Sequence, residues 1–439
     1  MSVSGRASEL TRLEALLSAP KPGLSICSIS GPGGVGKSFL VAQALEQARP
    51  EEHGWLQLRV DGSNAPLRGD FFGVLEQLFP RGLSRGDANR DYFRRLRDVA
   101  QAHRDLSDDV VEELSASGVS ESTKATVAAL LKTARLFNRS IPPISRADSN
   151  VMTEAAFDAV QKLKAFSASR GVVRKALGLS LKDRVRRELF AVTAESIVID
   201  LQAALTGLKG RRRVFNFAIG RIDGAERLLL IVDDYEALAP VLEEFLIGSL
   251  VRALAAIGIT CLMLVLGRDD LEATHSGWAQ QCKRWLVDPI RLEPFDEATA
   301  LTMLHDAGVP DARAKDLFVA TQGFPFLLSL VIEEAGAGGG SALFLRRFFE
   351  RTTRWMTPEE IEWFVRVSYL ERVNHDTLSR LFTAEEVPRV QRWFEKEPSI
   401  RDPSAAEFVV RPLIREKVLR YQEVRAPSDH QALLHRATG

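Results

Sequence analysis

The chain has 439 residues, 45% of them hydrophobic, and 58 basic residues balance 58 acidic ones. That length predicts more than one domain, and the zero net charge gives no general pull toward nucleic acid or an anionic membrane. Three cysteines without metal-ligand spacing, no uncharged apolar run of the roughly 18 residues a span needs, and no signal-peptide core predict a cytoplasmic protein in a reducing compartment, away from membranes.

Val3-Ser4-Gly5-Arg6 precedes an amphipathic run with Leu10, Leu13, Leu16 and Leu17 at helical spacing. Residues 24–30 read as a buried strand. Gly31-Pro32-Gly33-Gly34-Val35-Gly36-Lys37-Ser38 follows and matches GxxxxGK[ST], the phosphate-binding P-loop. Glycines let the backbone turn tightly, so its N–H groups converge on a phosphate chain. The start of the helix beyond, at Phe39, adds a positive dipole end. Gly31 through Gly36, with Phe39 beside them, are therefore expected to hold a nucleoside triphosphate. Lys37 would sit on its β- and γ-phosphates, and the Ser38 hydroxyl would ligate Mg²⁺.

Residues 55–61 alternate like a strand, and Phe71, Phe72, Val74, Leu75, Leu78 and Phe79 mark a helix. Residues 81–222 show helical spacing with few strand signals and form a large insert. Within it, 14 Lys/Arg face five Asp/Glu between residues 158 and 221. Such a stretch is either a solvated helix face or a contact for nucleic acid or an acidic partner.

Residues 228–232 are continuously apolar, as in a parallel strand buried on both faces, and end in Asp233-Asp234. Acids at that end of a strand lie where open α/β sheets bind ligands. Asp233 would hold Mg²⁺ directly or through water on a strand neighbouring that of the P-loop. Asp234 would polarise the attacking water, with Glu236 as a stand-in. Residues 260–266 form another strand, and Arg268 leaves the same sheet edge toward the γ-phosphate. Residues 285–287 and 290–292 resemble a last short strand region.

Residues 296–335 are helical in spacing, broken by Gly323-Phe324-Pro325-Phe326, and residues 335–340 read as a flexible linker. Thr357-Pro358-Glu359-Glu360 and Asn374-His375-Asp376 start helices, and residues 407–410 form a short strand. Three helices and a small hairpin over about 80 residues suggest a winged helix. The predicted organisation is α/β. A P-loop domain with a parallel sheet covers 1–80 and 223–293, and the helical insert covers 81–222. A helical lid and linker occupy 294–340, a winged-helix domain 341–424, and a further helix or tail 425–439.

In this order the pieces resemble the STAND class of P-loop NTPases, signal-transducing ATPases related to AAA+ and origin-recognition proteins. Val3-Ser4-Gly5-Arg6 resembles that group's hhGR box, Val232-Asp233-Asp234 its Walker B, Gly267-Arg268 its first sensor and Gly323-Phe324-Pro325 its GxP lid motif. The resemblance implies that Arg6 and Pro325 touch the nucleotide base and that Arg268 reads the γ-phosphate. It also implies ATP, ADP and Mg²⁺ as ligands, slow regulatory hydrolysis, protein partners, and homo-oligomers formed on exchange of ADP for ATP. Where the family often carries a phosphate-sensing histidine, this chain has Arg411, which either clamps ADP with its fork of donors or lies at the surface. The alternative is an origin-recognition- or transposition-regulator-like ATPase acting on DNA.

Overall fold

The structure, a computed structural model, describes residues 5–63, 70–80, 92–101, 179–206, 225–337, 341–354, 356–402 and 404–438. Val3, Ser4 and most of the basic stretch at 158–221 lie outside these residues.

Apolar runs buried on both faces build the sheet. Strands β1 (Leu24–Ser30), β2 (Trp55–Asp61), β3 (Arg227–Asp233), β4 (Thr260–Gly267) and β5 (Ile290–Arg291) form one five-stranded sheet in the order β2-β3-β4-β1-β5, with every pair parallel. Side chains alternate between its faces. Cys27, Ile29, Leu229, Ile231, Leu262 and Leu264 pack on α1 (Ala7–Ser18) and α2 (Lys37–Ala48) through Leu13, Leu17, Leu40 and Val41. On the other face Ile26, Leu58, Leu230, Val232, Met263 and Val265 join Leu75 and Leu78 of α3 (Phe71–Leu78). Three further elements share that core: α4 (Leu179–Thr206), through Phe190, Ile197 and Leu201; residues 92–96, through Tyr92, Phe93 and Leu96; and α5 (Tyr235–Phe245), through Leu238 and Leu242. The described ends of the 81–222 insert are therefore continuous with the sheet's own core.

Parallel pairing brings the C-terminal ends of the strands to one edge. Ser30 stands in register with Gly267, and Asp61 with Asp233. The P-loop, the paired acids and Arg268 consequently leave the sheet together. The acid strand is not the immediate neighbour of β1, as the sequence suggested; β4 stands between them.

Helix α5 passes through a π-helical turn at Leu246–Leu250 into α6 (Val251–Ala256), and α7 (Leu271–Thr274) follows β4. The segment expected to form the lid contains α8 (Glu297–Asp306), α9 (Asp311–Thr321) and α10 (Pro325–Ala337), with the helical break at Gly323-Phe324 where expected. The C-terminal region contains α11 (Ala342–Thr352), α12 (Pro358–Val367), α13 (His375–Leu378), α14 (Val387–Glu395), α15 (Pro412–Arg425) and α16 (Pro427–Thr438). Phe324, Leu327 and Leu330 of the lid are part of its core, beside Phe348, Phe364, Phe394 and Ile414. All three cysteines are buried thiols. Among the described residues no helix is long and apolar enough to cross a membrane.

Three local expectations change. The last strand is only Ile290–Arg291; Trp285 closes a 3₁₀ turn and Leu286 makes a single bridge to Ile26. Pro289 between them has no N–H to continue a ladder. Of the expected linker, residues 335–337 belong to α10, which continues through Gly336 to Ala337 because one glycine costs a helix only about 1 kcal/mol; residues 338–340 lie outside the described residues. The expected hairpin at 407–410 shrinks to one antiparallel bridge, Arg401 with Val410. The Asp402 and Arg411 amides donate to the Val409 and Ile400 carbonyls, after which Pro412 turns the chain into α15. Around that bridge the region has more helices than the three expected.

Candidate nucleotide site

The P-loop connects β1 to α2 through backbone that only glycine adopts freely. Gly31 and Gly34 have φ of +147° and +75°. A Cβ on Gly31 would lie 2.3 Å from the Leu292 carbonyl oxygen, and one on Gly34 would lie 2.2 Å from the Phe326 ring. Gly33 and Val35 are buried, Pro32 and Gly36 are half-buried, and Phe39 is exposed at the start of α2. Lys37 is 8% exposed, and its Nζ donates to the Gly31 and Pro32 carbonyls at 2.6 and 3.1 Å. Burial lowers the Lys37 pKa, and the nearby carboxylates of Glu236, Asp234 and Asp233 oppose that shift.

The Ser38 hydroxyl donates to Asp233 Oδ1 at 3.1 Å, so the two expected metal ligands, on α2 and β3, are brought together. Both are hard oxygen donors, the type Mg²⁺ prefers, and two protein oxygens suit an ion that fills its shell with phosphate and water. Among the described residues no group of three or more His, Cys, Asp or Glu is placed to hold a metal. Arg59 on β2 donates to Asp233 Oδ2 at 2.5 Å, and the Asp234 amide donates to Oδ1 at 3.0 Å. Sequence reading missed Arg59. The signal was there: Arg59 occupies an outward position of an alternating strand, two residues before the one in register with Asp233.

Asp234 immediately precedes α5 with φ of +48°, left-handed backbone in a non-glycine residue. Such conformations cost about 1–3 kcal/mol and collect at functional sites. Burial, then the neighbouring carboxylates of Glu236, Asp233 and Asp61, push its pKa up to about 6. Glu236 accepts from Arg268 Nε at 3.1 Å through Oε1, while its buried Oε2 has no hydrogen-bond partner among the described residues.

Among the described residues Arg268, which follows β4, reaches two carboxylates. One is Glu236. The other is Glu397, a buried carboxylate after α14, to which Arg268 Nη1 donates. Burial raises the Glu397 pKa against the opposing charge of Arg268, and the Ser399 hydroxyl donates to its second oxygen at 3.1 Å. Tyr235, Glu236, Gly267, Arg268 and Asp269 line a cleft of about 240 Å³, which Thr357 and Glu360 at the start of α12 close. Glu397 carried no motif, so sequence alone gave no reason to select it.

The lid meets the P-loop at the GxP turn. The Phe326 amide donates to the Gly34 carbonyl at 3.3 Å, one residue beyond Pro325, which opens α10. Arg6 is 7% exposed; its guanidinium donates to the Glu293 carbonyl, reaches the Val35 carbonyl at 3.5 Å and stands 4.8 Å from the Phe295 ring centre. Arg6, Val35 and the approach to the lid thus meet at one place.

Arg411 is buried at 1% exposure, but it turns to the lid and not to the glycine loop. It donates to the Ser399 and Pro398 carbonyls and to Gln322 Oε1, and it stands 4.6 Å from the Phe324 ring centre. Gln322 Nε2 in turn donates to Asp402 at 2.7 Å, so one amide fastens the lid to the C-terminal region.

A family profile described as "AAA ATPase domain" matches residues 2–265. No curated protein matches in sequence. Among solved structures the chain is similar to Cdc6p from Pyrobaculum aerophilum, at 12% identity and TM-score 0.34, over 97% of this chain and 95% of that one. It is likewise similar to an Aeropyrum pernix ORC2 protein solved as ADPNP–ADP complexes, at 13% identity and TM-score 0.37, over 97% and 96%.

Proposed function

The chain belongs to the AAA ATPase domain family, and from that premise we propose that it is a slow, Mg²⁺-dependent ATPase working as a conformational switch of the STAND type. The observation that carries this reading is the double engagement of Arg268, bonded both to Glu236 beside the paired acids and to Glu397 from the C-terminal region.

In this reading the P-loop amides and Lys37 hold the triphosphate, and Ser38 with Asp233 holds the metal. Mg²⁺, when bound, supplies charge neutralisation on the phosphate oxygens. Asp234 orients a water molecule and takes its proton as the oxygen bonds to the γ-phosphorus and the bond to the β–γ bridging oxygen breaks, leaving ADP and phosphate. Arg268 neutralises charge on the γ-phosphoryl group, and to do so it must exchange Glu397 for phosphate. ADP, which lacks that group, leaves the arginine with Glu397 and the C-terminal region closed. ATP draws it away, and the freed surfaces support assembly with further copies or with protein partners. Arg6 and Pro325 border the base, and Arg411 holds the lid turn against the C-terminal region.

Phosphate release from Mg²⁺-ATP by the wild-type protein and by Lys37→Ala tests the enzymatic part: turnover in the first and none in the second supports it, and equal rates refute it. A DNA-acting ATPase is the second reading, favoured by the basic run between residues 158 and 221. Duplex DNA binding that weakens steeply between two salt concentrations would favour it over the switch.

A further inference from the structure

Asp270 lies two residues beyond Arg268, ahead of the short helix α7, and matched no motif. Its side chain is 13% exposed. Oδ1 accepts from the Ser30 hydroxyl at 3.0 Å and, more weakly, from Ser28 at 3.5 Å, both on β1. Oδ2 accepts from Arg291 of β5. The Leu271 amide also points to the Ser28 hydroxyl, at 3.4 Å. One residue past Ser30 the P-loop begins, and there the Gly31 amide donates to the Arg268 carbonyl at 3.1 Å.

The segment 268–271 is therefore fixed at several points to the strand that launches the P-loop. β4 and β1 pair up to Ser30 and Gly267, and beyond that register the Gly31–Arg268 backbone bond and the contacts of Asp270 hold the chain that carries Arg268. Asp270 is the charged fastener of that stretch. It links β1, β5 and the arginine's loop, and its bonds to a guanidinium and a hydroxyl are of the stronger, charge-assisted kind.

We infer that Asp270 is a positioning residue that sets Arg268 against the P-loop, so that the arginine meets the third phosphate of a bound nucleoside triphosphate. This rests on the reading of Arg268 given above. Because Asp270 acts through Arg268, its loss matters for a triphosphate and not for a diphosphate. Transition-state and ligand contacts of this kind are sensitive to displacements of about 1 Å.

The test measures equilibrium binding of ADP and of a non-hydrolysable ATP analogue, with Mg²⁺, to the full chain carrying Asp270→Ala, Arg268→Gln or both. Asp270→Asn, which keeps the volume and one acceptor oxygen, serves if the alanine variant folds poorly. The expected result is an about tenfold loss of affinity for the analogue in Asp270→Ala, with ADP affinity within about twofold of wild type. In the Arg268→Gln background Asp270→Ala is expected to change neither. Equal weakening of both nucleotides, full additivity with Arg268→Gln, or no effect on the analogue overturns the proposal. If Arg268→Gln alone keeps the wild-type preference, the reading of Arg268 itself fails, a result distinct from failure of Asp270.

Discussion

Arg268 and Glu397 form an ion pair across 129 residues of sequence, joining the sheet edge that carries the P-loop to a buried carboxylate of the C-terminal region. In the proposed function Arg268 stands at the γ-phosphate end of the nucleotide site, where it needs an anion. Here the C-terminal region provides one, and a buried carboxylate left without its cation is costly, about 3–5 kcal/mol in comparable pairs. In the proposed switch phosphate competes with Glu397 for Arg268, and the cost of leaving Glu397 unpaired opposes the exchange.

Glu397→Gln weakens the closed arrangement while keeping the shape of the site. Charge-assisted hydrogen bonds contribute about 1.5–3 kcal/mol, so the change is expected to raise steady-state phosphate release several-fold. A rate equal to or below wild type, in a protein with unchanged melting temperature, counts against the latch.

Asp234→Asn keeps the backbone at the start of α5, since asparagine accepts left-handed backbone as aspartate does. It should bind ATP with near wild-type affinity and hydrolyse it at least about a hundredfold more slowly, the usual contribution of a positioned base. Unchanged turnover would move the role to Glu236.

The raised pKa of Asp234, about 6, gives hydrolysis a rising pH limb. The base works only when deprotonated, so the rate should climb as pH passes through about 6, and the limb should vanish in Asp234→Asn. The sign for folding is the reverse: a carboxyl whose folded pKa is raised contributes stability below its unfolded value near 4, lost as pH rises through about 6. A pH–rate series with thermal melts at each pH separates the two.

Gly34→Ala places a methyl group against the Phe326 ring in backbone with φ of +75°. The expected loss is about 1–3 kcal/mol in folding stability, with weakened nucleotide binding. Phe326→Ala in the same chain should recover part of the steric component and none of the backbone component. Equal melting temperatures for the single and double variants would contradict that division.

The sheet was legible because its strands are continuous apolar runs; residues 24–30 and 55–61 were bounded correctly from pattern alone. The P-loop and the Ser38–Asp233 meeting followed from a motif whose spacing has a mechanical reason. What stayed hidden were partners supplied by tertiary contact. Glu397 and Gln322 sit in no periodic pattern, and their meaning comes only from the chains that reach them, Arg268 and Arg411. The C-terminal hairpin was over-read for a related reason: residues 407–410 have strand composition, but the facing segment pairs with them at one bridge.

In the proposed switch ATP, and not ADP, separates the C-terminal region from Arg268. Light scattering of the full chain in Mg²⁺-ADP and then in a non-hydrolysable ATP analogue tests it most directly. Monomeric mass in ADP and a higher mass with the analogue is the predicted result, abolished in Lys37→Ala. The same mass in both nucleotides, with binding of each confirmed by titration, would contradict the switch.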